Sequence, residues 1–167
     1  MIRIAIIGGI GSGKSFISKL FRYPVFNADN EVKYIYKKNR KCFNKLKKKL
    51  PKFIKTFPVR KEELILAINS NKKNLRLISS IVHPLVQESM KKFIAKNKNR
   101  KLVVLDIPLL IENKLNKKKD IIIFIQSHNS KVLQRIKKRP FFNGKLIKSL
   151  KENQVILSKK RKLANYI

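Results

Sequence analysis

Apolar residues recur along this chain in two alternating patterns. Short, nearly unbroken apolar runs alternate with longer stretches in which they return every three or four residues. The short runs predict strands at Ile2–Ile7, Pro24–Asn27, Lys101–Asp106 and Ile121–Ile125. Between the first two, Phe16, Ile17, Leu20 and Phe21 sit at helical spacing and predict a helix over Lys14–Phe21. A second helix begins at Glu31 and runs through a lysine-rich stretch to Leu50, where Pro51 interrupts it. Past Pro58, the segment Glu62–Ile68 reads as helical. Leu75–Lys96 reads as a helix with a break at His83-Pro84. Ser130–Lys138 and Lys145–Leu163 complete the helices, separated by a loop over Pro140–Gly144.

Strands alternating with helices predict an α/β fold, a parallel sheet with helices on both faces. In such sheets ligands gather at the carboxyl ends of the strands. Polar groups there become site candidates: the segment Gly8–Ser15 after the first strand, Asp29 after the second and Asp106 after the third. The run Leu102-Val103-Val104-Leu105-Asp106 also has the apolar-plus-Asp form that orients Mg²⁺ or its water ligands. A strand-terminal Asp that caps a turn fits the same pattern equally well.

Gly8-Gly9-Ile10-Gly11-Ser12-Gly13-Lys14-Ser15 spells G-x-x-x-x-G-K-S directly after an apolar strand and before a helix. Each residue type answers a need of a bound triphosphate. Glycines let backbone N–H groups turn inward to phosphate oxygens that a Cβ would keep away. Lys14 brings a point charge to the β- and γ-phosphates, and the Ser15 hydroxyl can ligate Mg²⁺. The following helix aims the positive end of its dipole at the same anion. Four of the five glycines of the chain lie in this loop, which argues against a mere structural turn.

Composition narrows the class further. At 167 residues and 43% hydrophobic, the chain is most simply a single domain with one substantial core. No apolar run approaches a membrane span, and the first strand leaves no room for a signal peptide, so a cytoplasmic protein is expected. One cysteine, Cys42, excludes an internal disulfide and a multi-cysteine metal site. The net charge of +33 would ordinarily suggest a polyanionic partner. Here the lysines are spread along almost the whole chain and travel with abundant Asn and Ile, the residues an AT-rich genome over-uses. No aromatic RNA-binding signature or zinc spacing accompanies them. No specific nucleic-acid or membrane partner is therefore expected, though the charge should steer anionic substrates inward.

Several further motifs follow the phosphate loop in order. They are Pro24-Val25-Phe26-Asn27-Ala28-Asp29, Ile81-Val82-His83-Pro84-Leu85-Val86 and Val103-Val104-Leu105-Asp106-Ile107-Pro108-Leu109-Leu110-Ile111-Glu112. Leu133-Gln134-Arg135 with Arg139, then Gln154 ahead of Lys160 and Ala164, close the series. Together they resemble the dephospho-CoA kinase family over essentially the whole chain. The resemblance implies a P-loop kinase with a parallel five-stranded core, a helical substrate region and a lid. Mapped here, the core is 1–30 with 101–167, the lid about 128–150 and the helical region about 31–100. The implied reaction transfers the γ-phosphate of ATP, with Mg²⁺, to the ribose 3′-hydroxyl of dephospho-CoA.

The resemblance also implies residue roles. Asp29 matches the general base or hydroxyl-orienting aspartate of the family's D-A-D motif. Lys14 and Arg135 match charge-stabilising catalytic groups, and Arg139 a second lid arginine on the nucleotide. Gly9, Ile10, Gly11, Ser12, Gly13, Lys14 and Ser15 hold the ATP phosphates, Ser15 on the metal side. Lys33, His83 and Glu112, with Asp29, fall to the substrate.

Asn27 stands where the family usually has the first Asp of D-A-D, and the stretch between Lys37 and Pro58 lacks the usual turns. The chain stops at Ala164-Asn165-Tyr166-Ile167, so only the start of the family's fifth strand is expected. Two alternatives stay open from sequence: another small-molecule P-loop kinase, and a basic nucleotide-binding protein that engages nucleic acid. Oligomeric state is likewise open.

Overall fold

The computed structural model describes residues 1–112, 115–137 and 156–167. They form two compact units, Met1–Asn27 with Asn97–Ile167, and Ala28–Lys96. The first contains β1 (Ile2–Gly8), α1 (Lys14–Leu20), β2 (Val25–Asn27), β3 (Leu102–Asp106), β4 (Ile121–Ile125), α6 (Asn129–Lys137) and α7 (Leu157–Lys162). The second contains α2 (Ala28–Lys38), α3 (Arg40–Lys49), α4 (Lys61–Ser70) and α5 (Lys72–Lys96).

The four strands order as β2-β3-β1-β4, every pair parallel. Their apolar runs are continuous because both faces are covered. On one face Ile4, Ile6 and Val104 pack with Ile17 and Phe21 of the α1 segment. On the other, Ala5, Ile7, Val103 and Leu105 are fully buried. Register then sets the site: Ile6 and Asn27 both lie opposite Asp106, which aligns three strand ends. At the free edge of β4, Phe124 N–H donates to the Tyr166 carbonyl at 2.8 Å, and Asn165 N–H to the Ile122 carbonyl at 2.8 Å. This single parallel bridge, Ile123 to Tyr166, is the beginning of a fifth strand that sequence led us to expect.

One buried ion pair sits at the amino end of this sheet. Arg3 Nη2 meets Asp120 Oδ2 at 2.9 Å, and the same carboxylate oxygen accepts the Lys117 N–H at 2.8 Å. It ties the second residue of β1 to the residue that precedes β4.

In the helical unit, α5 presents buried Ile78, Val82, Val86 and Met90 at four-residue spacing, one apolar stripe. It packs on α2, α3 and α4, which bury Ile35, Cys42, Leu46, Leu64 and Ala67. Two sequence expectations are corrected here. The helix expected from Glu31 to Leu50 is two helices, divided at Asn39, whose side chain caps α3 by accepting the Cys42 N–H at 2.8 Å. An amide that competes for backbone N–H groups restarts the helix on a new axis. The break expected at His83-Pro84 does not occur, since α5 runs unbroken through Pro84. The Pro84 ring lies on the exposed side, where the Ser80 carbonyl that loses its partner can meet water, so the buried stripe is untouched.

Among the described residues, no helix is long and apolar enough to cross a membrane. The single thiol, Cys42, is buried in α3, and burial pushes its pKa up to about 11, which makes it an inert core group.

Candidate phosphate-binding site

β1 delivers the chain to the carboxyl end of the sheet at Gly8, and the loop to Ser15 turns there. Gly8 has φ 151°, and a Cβ on it would fall 2.7 Å from the Ile125 carbonyl oxygen. Only glycine lets the loop leave the sheet this close to β4. The turn closes when Ser12 N–H donates to the Gly9 carbonyl at 3.3 Å, and α1 starts with Phe16 and Ile17 N–H groups on the Gly13 carbonyl. Lys14 folds its ammonium back over the loop, donating to the Gly9 carbonyl at 2.7 Å and to Gly8 at 3.3 Å. Ser15 is exposed in the first turn of α1.

Two later helices flank this loop, α6 tightly and α7 more loosely. Ile136 of α6 would meet a Cβ on Gly11 at 2.9 Å, so that position too admits only glycine. Arg135, one residue before, donates from Nη1 to the Gly11 carbonyl at 3.3 Å and to Ser127 Oγ at 3.5 Å. Ser127 in turn donates to the Ser12 carbonyl at 2.8 Å. From α7, both Leu157 methyl carbons lie 3.5 Å from where a Gly9 Cβ would stand. The loop is thus held from both sides by residues more than a hundred positions away in the chain.

Asp106, 2% exposed, ends β3 beside the loop. Asn27 Nδ2 donates to its Oδ2 at 2.6 Å. The amide therefore supplies a proton donor to a buried carboxylate, where an acid in its place would set two carboxyl groups against each other. Past β3, Glu112 Oε1 pairs with Lys160 Nζ at 2.6 Å, and that ammonium reaches the Pro108 carbonyl at 3.4 Å.

The sequence candidates fall into groups. Gly9–Ser15, Lys14 and Arg135 come together in the sheet unit, with Ile10 inside the turn. Glu112 lies in the same unit, ion-paired to Lys160. Asp29 and Lys33 stand in the helical unit, exposed and one turn apart on α2. His83 is half-buried on α5, and burial lowers its pKa below the ordinary imidazole value, favouring the neutral ring. Arg139, the loop Pro140–Gly144 and Gln154 lie outside the described residues. Sequence did not single out Ser127, Ile136, Leu157 or the Asn27–Asp106 bond, because none has a local motif; each joins the site only through folding.

The residues present fit a nucleotide triphosphate. Backbone is exposed where a Cβ would obstruct it, a lysine ammonium rests on carbonyls that it can exchange for phosphate oxygens, and buried Ser12 Oγ has no hydrogen-bond partner among the described residues. This fold and this loop define a P-loop phosphotransferase. The family model for dephospho-CoA kinase matches residues 2–167. The dephospho-CoA kinase of Bartonella henselae is 36% identical over 178 residues, covering 98% of this chain and 86% of the relative. Among solved structures, TT1252 from Thermus thermophilus superposes with a TM-score of 0.80 at 24% identity, over 99% of this chain and 86% of that one. Dephospho-CoA kinase from Campylobacter jejuni does so with a TM-score of 0.64 at 21% identity, over 99% and 86%. The chain belongs to the dephospho-CoA kinase family and is a phosphotransferase that uses ATP.

Proposed function

We propose that this protein transfers the γ-phosphate of ATP to the ribose 3′-hydroxyl of dephospho-CoA, in the cytoplasm, with Ser15 and the Asp106 carboxylate on the side of a Mg²⁺ ion. The observation that carries the nucleotide half of this reading is the glycine loop with the Lys14 ammonium folded across the Gly8 and Gly9 carbonyls. When bound, Mg²⁺ neutralises charge on the phosphates and fixes their geometry.

Every other part falls to this chain's own groups. Lys14 exchanges the Gly8 and Gly9 carbonyls for phosphate oxygens. Arg135 leaves the Gly11 carbonyl and Ser127 for the transferred phosphoryl, where a planar guanidinium matches charge spread over several oxygens. Asp29 accepts the proton of the acceptor hydroxyl or orients it, as a carboxylate exposed at the start of a helix can. Lys33, one turn along α2, meets a substrate phosphate. Neutral His83 offers one donor and one acceptor to the substrate and no charge. Glu112 shapes the segment after β3 through its ion pair. Arg139 would add a second guanidinium over the nucleotide.

The test is direct. Protein incubated with MgATP and dephospho-CoA should form CoA, and Lys14→Ala should slow this by about a hundredfold or more. Asp29→Asn should remove most turnover while leaving ATP binding intact. A parent protein that binds ATP yet forms no CoA overturns the proposal; undiminished turnover in Asp29→Asn overturns the role of Asp29 alone.

A further inference from the structure

Lys160 is fully buried, the largest of the fully buried side chains among the described residues. Removing an ammonium from water costs several kcal/mol unless it is paired and hydrogen-bonded. Here it is both, with Glu112 Oε1 at 2.6 Å and the Pro108 carbonyl at 3.4 Å. Both partners belong to the segment that leaves β3, which carries Asp106 at its end. The ion pair thus anchors α7 to that segment.

A short helix fixed at one side chain is also fixed in roll and height. Leu157 precedes Lys160 by three residues, so the two lie on one face of α7. Its methyl carbons stand over Gly9, the residue whose carbonyl accepts the Lys14 ammonium at 2.7 Å. The path from Glu112 to the turn of the phosphate loop thus runs through the Lys160 ion pair and one turn of α7 to Leu157, half-exposed above Gly9.

We infer that Lys160 is a positioning residue for the nucleotide site: its buried clasp on Glu112 and the Pro108 carbonyl seats Leu157 on Gly9 and holds the loop in its phosphate-binding turn. A lysine serves better than an apolar residue because its reach and directed bonds fix one orientation of α7, whereas oily contacts tolerate several. The inference deepens the kinase reading and depends on it only for ATP as the ligand.

The experiment measures binding of ATP by calorimetry, without acceptor, beside melting temperature. Lys160→Met should weaken ATP binding by about tenfold or more, as expected when a distant change misplaces a preorganised loop. Leu157→Ala leaves the clasp intact and should weaken ATP binding several-fold with little change in melting temperature. In turnover assays both should raise KM for ATP and leave KM for dephospho-CoA unchanged. Exchanging the two charges, Glu112→Lys with Lys160→Glu, should restore part of the lost affinity. A folded Lys160→Met with parental ATP affinity overturns the inference. Should that variant not fold, Leu157→Ala decides, and parental affinity there overturns it as well. Because acceptor is absent from the binding measurement, a failure of the clasp is distinct from a failure to phosphorylate dephospho-CoA.

Discussion

Two buried ion pairs stand at opposite ends of the same sheet, and they are not equivalent. Arg3 and Lys160 are the buried cations among the described residues, each paired to a carboxylate far off in sequence. Arg3–Asp120 joins the entry of β1 to the entry of β4, at the amino end of the sheet, away from the phosphate loop. Lys160–Glu112 lies past the carboxyl end of β3 and reaches the phosphate loop through Leu157. Both are buried cation–carboxylate pairs, one a guanidinium and one an ammonium, and they lie at opposite ends of the sheet. A parallel sheet sends its strands' carboxyl ends to the ligand, so on the inference above a buried ion pair is scaffold at one end and site support at the other.

The upper bound of any effect on the nucleotide comes from the loop itself. Lys14→Ala should lower kcat/KM by about a hundredfold or more, the scale of losing one preorganised charge-stabilising donor. Next come the two pairs. Lys160→Met and Asp120→Asn should each cost about 3–5 kcal/mol by denaturant unfolding, since each strands a buried charge. Only Lys160→Met should also raise the Kd for ATP; a comparable rise in Asp120→Asn would erase the distinction. Replacing both partners sharpens it. Arg3→Met with Asp120→Leu should recover most of the stability lost by the single change and retain full ATP affinity. Lys160→Met with Glu112→Leu should recover stability without recovering affinity.

Smaller effects belong to the helical unit. The folded pKa of His83 lies below the ordinary imidazole value, so the unfolded chain takes up its proton first as pH falls. Stability is complete above about 6.5 and declines as pH drops through the folded value. His83→Gln should flatten that decline in urea midpoints measured from pH 7 to 5, and an unchanged slope would contradict it. Smallest of all is the exposed Glu88–Lys92 pair on α5, at 2.7 Å. Lys92→Ala should leave stability and turnover unaltered, because solvent screens both partners.

What could be read without the fold follows the same division. The phosphate loop is contiguous, and its glycines, Lys14 and Ser15 announce themselves by spacing; so do the strands, whose apolar runs are unmistakable. Lys160 is marked in the sequence only by the family resemblance; within the run Lys159-Lys160-Arg161-Lys162 no periodicity tells a buried cation from three exposed ones. Asp120 follows three lysines and pairs with a residue 117 positions away. Asn27 reads as a lost carboxylate until its amide is seen on Asp106. Pro84 misleads because proline breaks helices in general, while a helix with its proline on the wet side survives. Asn39 was hidden among lysines that continue the helical spacing on either side.

The central claim is tested most directly by counting products. With limiting MgATP and an equimolar mixture of dephospho-CoA, a nucleoside and a nucleoside monophosphate, ADP and CoA should form in equal amounts. The other two acceptors should be recovered unchanged. ADP without CoA, or phosphate on either competitor in preference to dephospho-CoA, would contradict the account.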